Sequence, residues 1–249
     1  MNKIYKKNEV TFAIIMIVIY VVGTGIAESV TASLQVEKLV PAIFHSTLAI
    51  VLLVWMIKNG YAEKYGLTAT QYKLTKTWFF IPLIMVAGSG LIFGIKLQYS
   101  LLETVLYVVS MVCVGFLEEI IFRGFLFVGM AKTNVKRAII VSSLTFGIGH
   151  IVNLFNGQQP IETIVQIIFA TAVGFTLVII FYKGKSLLPC IIFHSLNNSL
   201  SAFEKTNEEV AATLPISAGQ FEMILACAFI IILIAYALAM VKKLNVIQE

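Results

Sequence analysis

Charge is what this sequence has least of. Only 12% of its 249 residues are Asp, Glu, Lys or Arg, while 59% are hydrophobic, and the mean hydropathy is +0.93. A soluble domain is nearer a quarter charged, so the composition excludes an ordinary soluble fold and marks an all-α polytopic membrane protein. The net charge of +5 does not mark a nucleic-acid partner. The basic residues stand singly at the ends of apolar runs, as membrane topology demands. Cysteine is scarce as well. Cys113, Cys190 and Cys227 each lie in an apolar run with no Cys-x-x-Cys spacing, which implies no disulfide framework and predicts buried free thiols. No soluble domain is left over, because the longest loops are about 20 residues, too short to fold alone. Internal repeats and low-complexity tracts are lacking. The chain therefore reads as a single transmembrane domain over 1–249.

What is present is a succession of apolar segments, eight in number, near 10–27, 39–57, 78–95, 100–130, 137–155, 161–182, 187–203 and 221–241. Spanning takes about 20 apolar residues. The seventh segment is short and polar-rich, as a helix shielded by others would be. The fourth is too long for a simple crossing, so it tilts, or its end past Arg123 lies at the interface. The basic residues test this map. With the N-terminus inside, 14 of the 18 basic residues fall on the inner side, only Lys38, Lys96 and Lys205 on the outer side, and Arg123 within the membrane. Among the inner set are Lys73, Lys76 and Lys243. By the positive-inside rule both termini are cytoplasmic. The N-terminal run, preceded by Lys3, Lys6 and Lys7 and followed by Gly25-Ile26-Ala27, has the look of a signal peptide. An uncleaved first helix is the reading that fits the rest of the topology.

Against this apolar background two adjacent carboxylates, Glu118 and Glu119, stand out. An acidic residue at a helix centre costs roughly 2.5–3.5 kcal/mol on insertion scales, so a partner or a use is expected for each. Glu119 and Arg123 are four apart and share one helical face, where they can pair. Glu118 is turned by about 100° from Glu119 and is free to face a cavity. Phe146 and His150, and likewise His194 and Asn198, are also spaced by four. At 1.5 Å per residue Glu118 and His150 lie roughly 20 Å from the inner boundary, His194 about 11 Å and Asn198 about 17 Å. Three helices thus bring polar groups to similar depths, around an intramembrane polar cavity. Gly147 and Gly149 leave room for close helix approach beside His150.

These groups point to hydrolysis. A carboxylate in a low-dielectric pocket can act as general base toward water. A histidine beside it can hold that water, and a second histidine with an amide can stabilise an oxyanion. The same Glu118, His150 and His194 could instead ligate Zn²⁺, whose bound water would be the nucleophile. The zincin helix His-Glu-x-x-His is absent. Each group also has a plainer reading: Glu119 with Arg123 as a structural ion pair, Glu118 as a transport carboxylate, either histidine as a bonded core residue, and Asn198 as helix–helix glue. Lone His45 reads as structural. Asn153 and Asn156 mark the end of the fifth helix, and Asn197 faces away from Asn198.

Glu-Glu-x-x-x-Arg at Glu118, Glu119 and Arg123, Phe-x-x-x-His at Phe146 and His150, and His-x-x-x-Asn at His194 and Asn198 follow one another on successive apolar segments. In order and placement they resemble the CAAX-protease and bacteriocin-processing (CPBP, or Abi) family of intramembrane proteases, to which the eukaryotic type II CAAX prenyl endopeptidase belongs. The motif-bearing core spans about 100–203, and the first three segments carry no signature of that family. The resemblance implies an all-helical fold around a water-filled cavity. It makes Glu118 the general base, with His150 ordering the water and His194 and Asn198 stabilising the oxyanion. Glu119, Arg123 and Phe146 would support the site. It leaves open a metalloprotease with Zn²⁺ or a metal-independent glutamate enzyme with no cofactor.

The expected partners are a peptide or membrane-protein substrate and the lipid bilayer, with no nucleic acid; the sequence sets no oligomeric state. A Lys- and Ile-rich, Arg-poor composition points to an AT-rich bacterial genome, where protein prenylation is generally lacking. Cleavage is therefore expected on a peptide or membrane segment near the cytoplasmic leaflet, in bacteriocin self-immunity or peptide maturation. Two other classes compete: a non-catalytic bacteriocin immunity protein, and a proton-coupled transporter. An inverted repeat with paired broken helices, the usual mark of the latter, is not seen.

Overall fold

The computed structural model describes residues 1–34, 36–68, 80–155 and 157–247, with side chains to 242. Lys73, Lys76, Asn156, the Lys243 side chain and the start of the third apolar segment lie outside the described residues. The elements in chain order are α1 (Asn2–Lys7), α2 (Glu9–Thr31), α3 (Leu39–Lys58), α4 (Ile81–Ala87) and α5 (Leu101–Glu118). A π-helical stretch (Glu119–Phe127) and α6 (Val128–Ala131) continue α5. Then come α7 (Val135–Gly149), α8 (Pro160–Gly184), α9 (Leu188–Leu200), α10 (Asn207–Ala211) and α11 (Ala218–Ile247). Among the described residues no β-strand forms; Ile95 and Glu204 make one isolated antiparallel bridge.

Local chemistry sets the helix starts. Asn8 accepts from the Thr11 backbone N–H at the head of α2. Ser100 and Glu103 form a reciprocal capping box at the head of α5, and Pro160 occupies the first turn of α8 with Gln159 and Glu162 as its box. Each satisfies amides that an uncapped helix leaves bare.

Among the described residues six helical stretches are long and apolar enough to cross a membrane: Glu9–Thr31, Leu39–Lys58, Leu101–Ala131, Val135–Leu154, Pro160–Gly184 and Ala218–Lys242. The third and seventh apolar segments are shorter than hydropathy alone predicts. In the third, α4 stops at Gly88, and after a 3₁₀ turn the chain leaves through Gly94 at φ +125°, a conformation open to glycine and few other residues. In the seventh, α9 has 13 residues. The two short helices pack on one another. The long fourth segment contains the π-helical stretch. Every residue from Glu119 to Phe127 is buried in the protein.

Helices meet where side chains are small. A Cβ on Gly115 would lie 2.7 Å from the Ser195 backbone nitrogen and 2.9 Å from its Cα, so α5 and α9 touch nearly backbone to backbone. Gly147 makes the same close contact to α8 at Ile167 and Thr171, while Gly149 faces open space. All cysteines are free thiols; Cys190 is buried and Cys113 half-buried, but Cys227 is exposed on α11, contrary to the expectation that all three would be buried.

The two ends of the bundle differ in charge. At one end Lys64 and Lys132 both bond to Glu9, and the Leu187 amide bonds to the Gly66 carbonyl. Most lysines gather here. The opposite end carries Glu28, Glu37, Glu103, Glu162, Glu204, Glu208, Glu209 and Glu222 against Lys38, Lys96 and Lys205. The first is the basic end of the bundle and the second its acidic end.

Candidate active site

The carboxylates sit where α5 passes into its π-helical continuation, a wider turn with i→i+5 bonding of the kind often found at functional sites. Glu119 and Arg123 are both fully buried, and Arg123 Nη1 donates to Glu119 Oε1 at 3.0 Å, as their spacing predicts. The guanidinium also lies on the Phe146 ring, 4.1 Å from its centroid, so the cation is balanced by a carboxylate on one side and a π face on the other. Phe146 in turn stands edge-on to His150 and His194, at 5.5 and 5.7 Å between centroids.

His194, brought in by α9, bridges the two carboxylates. Its Nδ1 is 2.9 Å from Glu119 Oε1 and its Nε2 is 3.2 Å from Glu118 Oε2. A neutral imidazole has one N–H only. Both contacts therefore need one further proton, on the ring or on Glu118. The remaining oxygen, Glu118 Oε1, accepts from the Tyr20 hydroxyl at 2.7 Å. An unbroken chain results: Tyr20, Glu118, His194, Glu119, Arg123.

Tyr20, Glu118 and His194 of this chain line a cavity of about 320 Å³. Glu118, His150, His194 and Asn198 all line it, as do Phe146 and Tyr20. The structure thus collects the four residues read as chemical from the sequence. His150 Nδ1 faces the Phe146 carbonyl at 3.2 Å. A carbonyl only accepts, so Nδ1 carries the proton and, in the neutral ring, Nε2 is left as an acceptor. Asn198 Oδ1 accepts from Asn197 at 3.3 Å, which leaves its own NH₂ as donor. Asn197 itself lines a different hollow.

Two residues of the site carried no sequence motif. Tyr20 comes from α2, where a tyrosine in the middle of an apolar run is the one available signal, since its hydroxyl needs a partner when buried. His45 also lines the cavity, from α3, with Ser110 Oγ at 2.8 Å from Nδ1 and Thr24 Oγ1 at 3.0 Å from Nε2. Both its nitrogens are engaged, which agrees with a structural role.

Zinc asks for three or four donors about 2.0–2.3 Å from one point. Among the described residues no three His, Cys or carboxylate side chains converge in that way. The nitrogens of His194 are turned to carboxylates and Nδ1 of His150 to a carbonyl. As arranged, Glu118, His150 and His194 do not fit a zinc ion.

Residues 99–200 match the family model of the type II CAAX prenyl endopeptidases, Rce1-like. The matched stretch contains all three motifs. No curated protein and no solved structure matches the chain. With three motifs in order and helices fit to cross a membrane, residues 99–200 carry an Rce1-like domain of the CPBP/CAAX protease type within a membrane protein.

Proposed function

We propose that this protein is a metal-independent intramembrane endopeptidase in which Glu118 activates a water to attack a peptide carbonyl. The observation that carries the reading is the bonded chain from Tyr20 through Glu118, His194 and Glu119 to Arg123, whose first three members line a cavity that His150 and Asn198 also line. Glu118 is held by two groups, yet a carboxylate has about four lone-pair sites, so it can still accept from a water. His150 Nε2 takes that water's second hydrogen. The water oxygen adds to the carbonyl carbon while its proton passes to Glu118. The Asn198 amide donates to the oxyanion. Collapse breaks the C–N bond, and Glu118 returns the proton to the leaving amine.

His194 takes a different part from the one its motif implied. Both its nitrogens are engaged with carboxylates, so it holds Glu118 and Glu119 in place and balances their charge, and Asn198 is the remaining oxyanion donor. Glu119, Arg123 and Phe146 fix the position of His194.

Against a transporter, the sequence has no inverted repeat with paired broken helices. We place the protein in a bacterial cell membrane with both termini cytoplasmic, on the positive-inside distribution of its lysines. There it acts on a peptide or membrane-protein substrate in peptide maturation or bacteriocin self-immunity. The test is hydrolysis of a fluorogenic peptide set by the purified protein in proteoliposomes. Glu118→Gln should lower kcat by about 10²–10⁴-fold, and dialysis against phenanthroline should change nothing. An active Glu118→Gln variant would refute the base; loss of activity to the chelator, restored by zinc, would refute metal independence.

A further inference from the structure

The cavity is not symmetric along the bundle axis. Its floor is Glu118, His194 and Phe122, and beyond the floor the chain from Glu119 to Phe127 is buried throughout. Its rim is Glu28, Tyr107, Asn153, Gln166 and Ser201, none of which is buried. Each rim residue lies toward the acidic end: Glu28 in the last turn of α2, Tyr107 in the second turn of α5, Ser201 just past α9. A second, apolar hollow between α2 and residues 152–155 shares Val21 and Val152 with this cavity. The mouth therefore adjoins an apolar hollow, and it does so at the acidic end.

The charge around this mouth is strongly one-sided. Eight glutamates stand at that end against three lysines, and Lys38 and Lys96 are already paired with Glu28 and Glu209. Topology does not require this excess, since Asp and Glu contribute little to orientation in membranes. A cleft rimmed by one sign of charge concentrates ligands of the other sign.

We infer that the cavity is loaded from the acidic, extracytoplasmic end of the bundle, and that its substrate is a peptide segment carrying positive charge. The inference rests on the cavity being the reaction chamber proposed above. Access is then from the side opposite the cytoplasmic leaflet, where the sequence predicts cleavage.

Single added cysteines test it. Gly149→Cys places a thiol beside His150, where an added Cβ meets nothing within 4 Å. Ser201→Cys marks the rim and Lys136→Cys the basic end, both at exposed positions. The probes are a cationic and an anionic methanethiosulfonate of similar size, applied to intact cells and to inside-out vesicles. The parent protein with its native cysteines sets the background. The expected result is reaction of Ser201→Cys and Gly149→Cys from outside intact cells, and of Lys136→Cys in inside-out vesicles only. At Gly149→Cys the cation should react about tenfold faster than the anion, with the ratio shrinking at high salt. Reaction of Gly149→Cys in inside-out vesicles only, or from neither side, would overturn the route. Equal rates, or a faster anion, would overturn the charge preference. Labelling reads no hydrolysis, so either failure is distinguishable from failure of the protease assignment.

Discussion

Replacing Arg123 with methionine removes the one cation of the buried cluster that cannot give up its proton. Arg123 and Glu119 are both fully buried, 3.0 Å apart. Two unit charges at that separation attract by about 5 kcal/mol at an effective dielectric constant near 20. Methionine keeps much of the side-chain volume over Phe146, so the change is mainly one of charge. Glu119 is then left in an apolar interior with His194 as its remaining partner. Breaking a buried pair from one side costs about 3–5 kcal/mol, whereas replacing both partners is often close to neutral. Arg123→Met should therefore lower Tm by about 6–20 °C, read by intrinsic tryptophan fluorescence of the purified protein in detergent. The double variant Glu119→Gln with Arg123→Met should recover at least half of that loss. A single variant as stable as the parent, or a double variant no better than the single, would refute the view that this pair supports the site by electrostatics.

Tyr20→Phe deletes one oxygen and with it a hydrogen bond to a charged group, worth about 1.5–3 kcal/mol. We expect kcat to fall about 10–100-fold with KM little changed in the peptide assay. Asn198→Ala removes the oxyanion donor and should reduce kcat by about 10²–10³-fold without altering Tm. Gly115→Ala forces a methyl against the Ser195 backbone; a loss of about 1–3 kcal/mol should appear as a lower Tm together with lower activity, since α5 and α9 carry Glu118 and His194. Glu204, in the loop at the acidic end, has its carboxyl raised above the ordinary value by burial. The folded state then holds this proton more tightly than the unfolded one, so stability falls as pH rises from the ordinary carboxylate value through the raised one. Glu204→Gln should be more stable than the parent above that window, and the difference in Tm should close as pH is lowered through it.

Much of this site was legible because its motifs are local. Spacing of four predicted that Glu119 would meet Arg123, and their Nη1–Oε1 distance is 3.0 Å. Gly147 was expected at a close helix contact and lies against α8. What the sequence hid is long-range or cooperative. The bridge from His194 to both carboxylates joins residues 75 apart in the chain, and no period reports it. Tyr20 sits 98 residues from Glu118, on a helix without a motif. The burial of every residue of the π-helical stretch Glu119–Phe127 is a tertiary property. Hydropathy placed eight segments because it averages over Gly88 and Gly94 in the third and cannot see that α4 and α9 shield one another.

The most direct measurement compares new peptide termini in membranes of cells expressing the parent protein or Glu118→Ala at equal levels. Termini that appear with the parent and vanish with Glu118→Ala are the predicted result; they would establish proteolysis, place Glu118 in the chemistry and identify the substrate together. Identical termini in both strains, at equal expression and in fully folded protein, would contradict the assignment of Glu118 as the base.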